Sequence, residues 1–178
     1  MVETPTNARW QAGLTALYLG VFSIIWFSVP KVEQPFATLL AIGSVAALLA
    51  AVAGAVVTAH TRNVKKVPRD VAADRKYLLI VGAEMAAAGL GALLLASTGW
   101  SELVPVLVGA VVGVHFVPLA SLLGDPLLRP LAAAVCLVAL AGLIAELTSF
   151  APAGQVVGPG IGLLLLGYAV MALLRTTR

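Results

Sequence analysis

Charged residues are scarce in this chain: they make up 11% of its 178 residues, whereas 61% are hydrophobic and the mean hydropathy is +1.04. A soluble domain of this length needs far more polar surface. A membrane-spanning helix needs about 20 predominantly apolar residues, and the sequence supplies such runs repeatedly. The lack of charge therefore excludes an ordinary soluble domain and predicts an all-α integral membrane protein.

Residues that bind metals or do acid–base chemistry are also few. The single cysteine excludes an intramolecular disulfide, and one cysteine with two histidines makes no convincing metal or haem set. The sequence contains no GxSxG, HExxH or phosphate-binding-loop motif. A net charge of +3 is too small to favour nucleic-acid binding. We therefore expect no cofactor, no metal and no nucleic-acid partner, and we assign no catalytic residue.

The apolar runs predict a six-transmembrane-helix bundle that forms a single integral membrane domain over residues 1–178. Short connections indicate three consecutive antiparallel hairpins. The first run is long for a signal peptide and no A-x-A site follows it, so we expect it to remain as the first helix. The predicted spans are 11–29, 36–59, 77–97, 103–123, 129–148 and 156–174.

Basic residues indicate the orientation of this bundle. Ten of the eleven fall on the side that holds both termini, and Lys31 alone lies opposite. The positive-inside rule then predicts a multi-pass protein of the cell (plasma) membrane with both termini in the cytoplasm. Six of the ten lie in the connection 61–76. This connection either binds anionic lipid headgroups or serves only as a topology signal.

Small residues predict close packing of several helices, because lipid tails do not drive apolar helices together. Span four carries the GxxxG pair Gly109 and Gly113, which packs either within one chain or between two copies in a homo-oligomer. Small residues in spans two and three are Gly43, Ala47, Ala50, Gly54, Thr58, Gly82, Ala86 and Gly89.

Two ionisable side chains, Glu84 and His115, fall deep inside predicted spans. They are equally far from the turn between spans three and four, so an antiparallel hairpin puts both about 10–12 Å from the cytoplasmic boundary. His115 is about 160° around its helix from Gly113, so it should face a different neighbour or the axis of the bundle. Ionisable residues at such depth are costly and mark functional sites by default. The alternative is a purely structural contact that joins two helices.

Other polar features fall near the same depth. Tyr18, Cys136 and Tyr168 would complete a substrate- or proton-binding layer with the pair, although all three are ordinary membrane residues. Pro118 has no N–H for the carbonyl of Val114, which predicts a helix kink and an unpaired acceptor beside the histidine.

The stretch GVHFVPLA around His115 resembles small bacterial six-span membrane proteins of uncharacterised function. The resemblance covers chiefly span four and implies no activity. From the residues themselves, we expect a small-solute or proton-linked transporter or channel-type protein that uses Glu84 and His115. The alternative is a non-catalytic scaffold or accessory subunit that packs through its small-residue helix faces. A third hypothesis, an intramembrane enzyme with His115 as acid–base, has no further residue in its favour.

Overall fold

A computed structural model describes residues 5–61, 71–123, 125 and 127–175. This part of the chain is all helical and contains no strand. A short 3-10 turn, Ser101–Leu103, precedes the fourth helix. The six α-helices are α1 (Pro5–Phe27), α2 (Phe36–His60), α3 (Val71–Ser97), α4 (Val104–Leu123), α5 (Leu128–Leu147) and α6 (Ala153–Arg175).

Five of these helices are long and apolar enough to cross a membrane, which confirms an all-helical, multi-pass membrane protein. The exception is α3, whose apolar part among the described residues is the shorter stretch Val81–Ser97. The two helices α1 and α3 each begin six residues before the predicted span. Alanine, arginine, lysine and glutamine are good helix formers, so a helix can extend beyond its apolar run. Part of the predicted basic connection 61–76 is therefore helical, and residues 62–70 lie outside the described part.

The helices group into two compact units. One unit contains α1, α2 and the part of α6 from Gly162 onward. The other contains α3, α4, α5 and the part of α6 up to Ile161. The assignment of a single domain remains a prediction.

In the first unit, α1 and α2 approach closely through their small residues. A Cβ added at Gly54 would lie 2.5 Å from the backbone nitrogen of Leu17 and 2.6 Å from the carbonyl oxygen of Gly13. At Gly43 the added Cβ would lie 3.0 Å from the ring of Phe27. At Gly54 the nearest atoms are backbone, so any side chain there would push the helices apart, whereas at Gly43 the Phe27 ring would have to move by a few tenths of an ångström. The predicted stripe of span two therefore faces α1.

In the second unit, the GxxxG pair of α4 packs within the chain. A Cβ at Gly113 would lie 2.5 Å from Cys136 Sγ and 3.1 Å from the backbone nitrogen of the same residue, on α5. A Cβ at Gly109 would lie 2.9 Å from Ile161 and 3.2 Å from Val157, on α6. The face of α4 that carries Gly109 and Gly113, the glycine seam, is therefore covered by α5 and α6 of the same chain and is not a free surface for a second copy.

Two helix ends have the same capping geometry. After α3, the N–H of Trp100 donates to the carbonyl of Leu95, and Gly99 has a φ of +83°. After α5, the N–H of Phe150 donates to the carbonyl of Ala145, and Ser149 has a φ of +54°. Both are Schellman motifs, in which a left-handed residue lets the chain turn back.

Candidate functional site

The α3–α4 hairpin determines which residues of these two helices meet. Gly91 on α3 lies against Leu107 on α4, with the glycine's added Cβ 2.5 Å from a leucine methyl. The two residues are almost equally far from the turn at Gly99. The hairpin is therefore antiparallel, and residues further from the turn meet in the same register.

In this register, Glu84 on α3 contacts His115 on α4. Oε2 of Glu84 is in close contact with Nδ1 of His115, within ion-pair distance. The side chains are 18% and 21% exposed, respectively. Nδ1 itself is buried, and among the described residues it has no hydrogen-bond partner of good geometry. Oε2 of Glu84 is therefore the polar atom in contact with this buried nitrogen of His115.

Helical geometry explains why His115 is free to face α3. Gly113 is occupied by Cys136 of α5, and two further residues turn the side-chain direction by about 200°. The histidine therefore points away from the glycine seam. Phe116, the next residue, is buried, with its ring centroid 6.0 Å from that of His115.

The pair can hold and exchange one proton. A carboxylate beside an imidazolium and a carboxylic acid beside a neutral imidazole carry the same net charge, so a proton can shift between them at no cost in net charge. Neighbouring turns of α3 and α4 supply mainly apolar side chains, among them Val81, Ala88, Val111 and Leu119. A low-dielectric setting strengthens the interaction of the pair, whereas an unpaired charge there would be costly.

Pro118 lies inside α4, and the helix continues past it to Leu123. Because proline has no N–H, the carbonyl of Val114 lacks its usual donor one turn later. This freed acceptor belongs to the residue just before His115. It adds a backbone oxygen to the polar groups of this part of α4. The kink of the helix at Pro118 remains a prediction.

The other three members of the predicted polar layer differ in their surroundings. Tyr18 and Tyr168 belong to the first unit, where Tyr18 is 60% exposed and Tyr168 is buried. Cys136 shares the unit of the pair, but its sulfur lies against Gly113, on the face of α4 that His115 does not share. A binding role for these three residues remains a prediction.

Glu146 has a function in the fold that the sequence pattern did not reveal. Its Oε2 accepts a hydrogen bond of 2.6 Å from the N–H of Ala153, the first residue of α6. A carboxylate at a helix N-terminus satisfies a free N–H and favours the helix dipole. The sequence signal is weak because the glutamate comes seven residues earlier, across a turn. Asp125 caps locally, as its position before a proline indicates, and accepts from the N–H of Leu127.

No group of three or more potential metal-ligating side chains occurs among the residues that the structure describes. Comparisons with models of protein families, with curated proteins and with solved structures find no match for this chain. Glu84 and His115 are therefore the residues from which a function can be proposed.

Proposed function

We propose that the protein is a small transporter or channel-type protein of the cell membrane that moves protons, or a small solute with protons, through the Glu84–His115 site. The observation that carries the proposal is the contact between these two side chains in the middle of a helical hairpin. Ionisable pairs inside membrane-spanning segments are characteristic of ion pathways and proton relays.

The proposal includes α3 as a sixth span, with both termini in the cytoplasm. The helix has 27 residues, a length of about 40 Å, which exceeds the hydrocarbon core of about 30 Å. In the sequence its apolar run begins at Tyr77, and the basic connection precedes it. The positive-inside rule then puts the pair in the cytoplasmic half of the membrane.

Proton uptake and release at this site can be written with the two side chains of the pair. With one proton on the pair, either on the carboxyl of Glu84 or on the imidazole of His115, the pair is neutral. Uptake of a second proton leaves a carboxylic acid beside an imidazolium and a net charge of +1. Release of that proton to the other side of the membrane restores the neutral pair, so one cycle moves one proton.

Proton flux into vesicles tests this mechanism. The full chain is reconstituted in liposomes that contain a pH-sensitive dye, and a potassium gradient with valinomycin drives proton entry. Glu84→Gln and His115→Gln should each lower the flux about 100-fold or more, the usual effect of losing a positioned proton-transfer group. Glu102→Gln and His60→Gln are matched controls, because both residues are exposed and should leave the flux unchanged. Normal flux in both folded pair variants would refute the mechanism.

Carbodiimide labelling provides a second readout that needs no substrate. The reagent partitions into membranes and reacts with protonated carboxyl groups. Mass spectrometry should locate an adduct on Glu84 that increases as the pH falls, and His115→Gln should change the pH at which half of the protein reacts. An unlabelled Glu84 across the pH range would show that its carboxyl never binds a proton.

The second candidate, a non-catalytic scaffold, is favoured by one observation on α3. A Cβ at Gly82 or Gly89 would meet no described atom within 4 Å, so this small-residue face is open. A scaffold would pack this face, and not the filled seam at Gly109 and Gly113, on another chain. Gly82→Leu and Gly89→Leu should then abolish co-purification of differently tagged copies or of a partner. Unchanged assembly would exclude the scaffold on this face.

A further inference from the structure

The helices of the first unit bring positive and aromatic side chains to one end. Along α1 and α2 the contacting positions run in opposite directions: Phe27 meets Gly43, Gly20 meets Ala47 and Ala51, and Gly13 meets Thr58. Each step of seven residues down α1 corresponds to about seven residues up α2. One turn beyond Gly13 on α1 and Thr58 on α2, the same register puts Arg9 level with Thr61 and Trp10 level with His60.

The C-terminal end of α6 reaches the same level. The hydroxyl of Ser23, which is fully buried, donates a hydrogen bond of 2.7 Å to the carbonyl of Gly162. From Gly162 onward α6 groups with α1 and α2 in this compact unit, so it continues along these helices and not past the end of α1. Thirteen residues, about 20 Å, separate Gly162 from Arg175. Ser23 and Arg9 are 14 residues apart, which is about the same length.

The charge at this end is positive and uncompensated by the helices that form it. Neither α1, α2 nor α6 contains an aspartate or a glutamate. Arg9, His60 and Arg175 are all exposed. A guanidinium nitrogen of Arg175 contacts the sulfur of Met171 at 3.7 Å. The acidic residue of this unit among the described ones, Glu33, follows α1 at its opposite end.

The surroundings of this end fit a membrane lipid. Trp10 is 38% exposed, and tryptophan favours the headgroup level of a bilayer. Apolar side chains below this end are exposed along α2 and α6, including Val52, Val56 and Leu174, so acyl chains can lie beside them. Arginine also binds phosphate oxygens with two parallel hydrogen bonds.

We propose that this end of the unit is a binding site for the phosphate headgroup of an anionic phospholipid, held chiefly by Arg9 and Arg175. His60 is level with these arginines on α2, and its Nδ1 lies 2.9 Å from the carbonyl oxygen of Val56. This site is independent of the Glu84–His115 pair and stands or falls separately from proton transport.

Native mass spectrometry of the full chain in a non-ionic detergent tests the proposal. Phosphatidylglycerol and phosphatidylcholine with identical acyl chains are titrated separately, and the fraction of lipid-bound protein gives the apparent affinities. The wild type should prefer phosphatidylglycerol. Each arginine near an anionic headgroup raises the binding affinity about fivefold. The double variant Arg9→Gln/Arg175→Gln should therefore bind phosphatidylglycerol about 30-fold more weakly. Phosphatidylcholine binding should not change.

The control variant is Lys31→Gln, which removes one positive charge from the opposite end of α1. It should bind phosphatidylglycerol like the wild type. Equal affinity of the wild type for both lipids, an undiminished affinity in the double variant, or an equal loss in the lysine variant would overturn the proposal. Displacement of the lipid by millimolar inorganic phosphate would also overturn it, because the site would then bind free anions.

Discussion

Replacement of Gly54 by alanine tests the close approach of α1 and α2 most directly. The new Cβ would lie 2.5 Å from the Leu17 nitrogen, 2.6 Å from the Gly13 oxygen and 3.0 Å from the carbonyl carbon of Ala16. All three are backbone atoms of α1, so no side-chain rotation can relieve the overlap. Ordinary contacts begin near 3.4 Å, and the helices would have to separate by roughly 0.9 Å.

Separating α1 and α2 by this distance lowers the free energy of unfolding. A gap of 0.5–1 Å forfeits about a quarter to a half of the dispersion attraction across a packed face. Overpacking typically costs about 1–3 kcal/mol, and the higher helix propensity of alanine returns up to about 1 kcal/mol. We therefore expect Gly54→Ala to lower the free energy of unfolding by about 1–2 kcal/mol.

The matched control is Gly82→Ala on α3, where the added Cβ meets nothing within 4 Å among the described atoms. The same chemical change should there leave stability unaltered or raise it by up to about 1 kcal/mol. Both free energies can be measured by sodium dodecyl sulfate titration of protein in mixed micelles, followed by far-UV circular dichroism. If Gly54→Ala proves as stable as Gly82→Ala, α1 and α2 do not approach as closely as described.

Three further substitutions, measured in the same titration, test the helix ends. Ser149→Gly should raise the free energy of unfolding by about 0.5–1 kcal/mol, because serine is strained at a positive φ and glycine is not; no gain would contradict the Schellman geometry. Gly99→Ala should lower it by about 1 kcal/mol for the opposite reason, and a neutral effect would count against the turn that aligns the pair. Glu146→Ala should lower it by about 1–2 kcal/mol by removing the acceptor for the N–H of Ala153, whereas Glu102→Ala, at an exposed position, should have little effect.

The hairpin that carries the pair could be predicted from sequence because it depends on local periodicity. Glycine in the short turn after α3 indicates where the chain reverses, and the helical rise then puts Glu84 and His115 at one depth. The sequence also predicts that His115 and Gly113 lie on different faces of α4, since the angle between them depends only on 3.6 residues per turn.

The wider polar layer remains a prediction, because it depends on more than local periodicity. Depth along a helix can be counted in residues, but the rotation of each helix depends on its neighbours. Tyr18 is exposed on α1, and the sulfur of Cys136 lies against Gly113. The capping role of Glu146 depends on the path of the turn between α5 and α6, which has no local signature.

By itself, the sequence determined the helical class, the membrane environment and the approximate helix bounds, because these depend on composition and periodicity. Only the tertiary structure decided that Gly109 and Gly113 pack against α5 and α6 of the same chain, since small residues permit close approach without selecting the partner. It also decided that Glu84 and His115 touch, because contact requires two helices to be rotated toward each other as well as matched in depth.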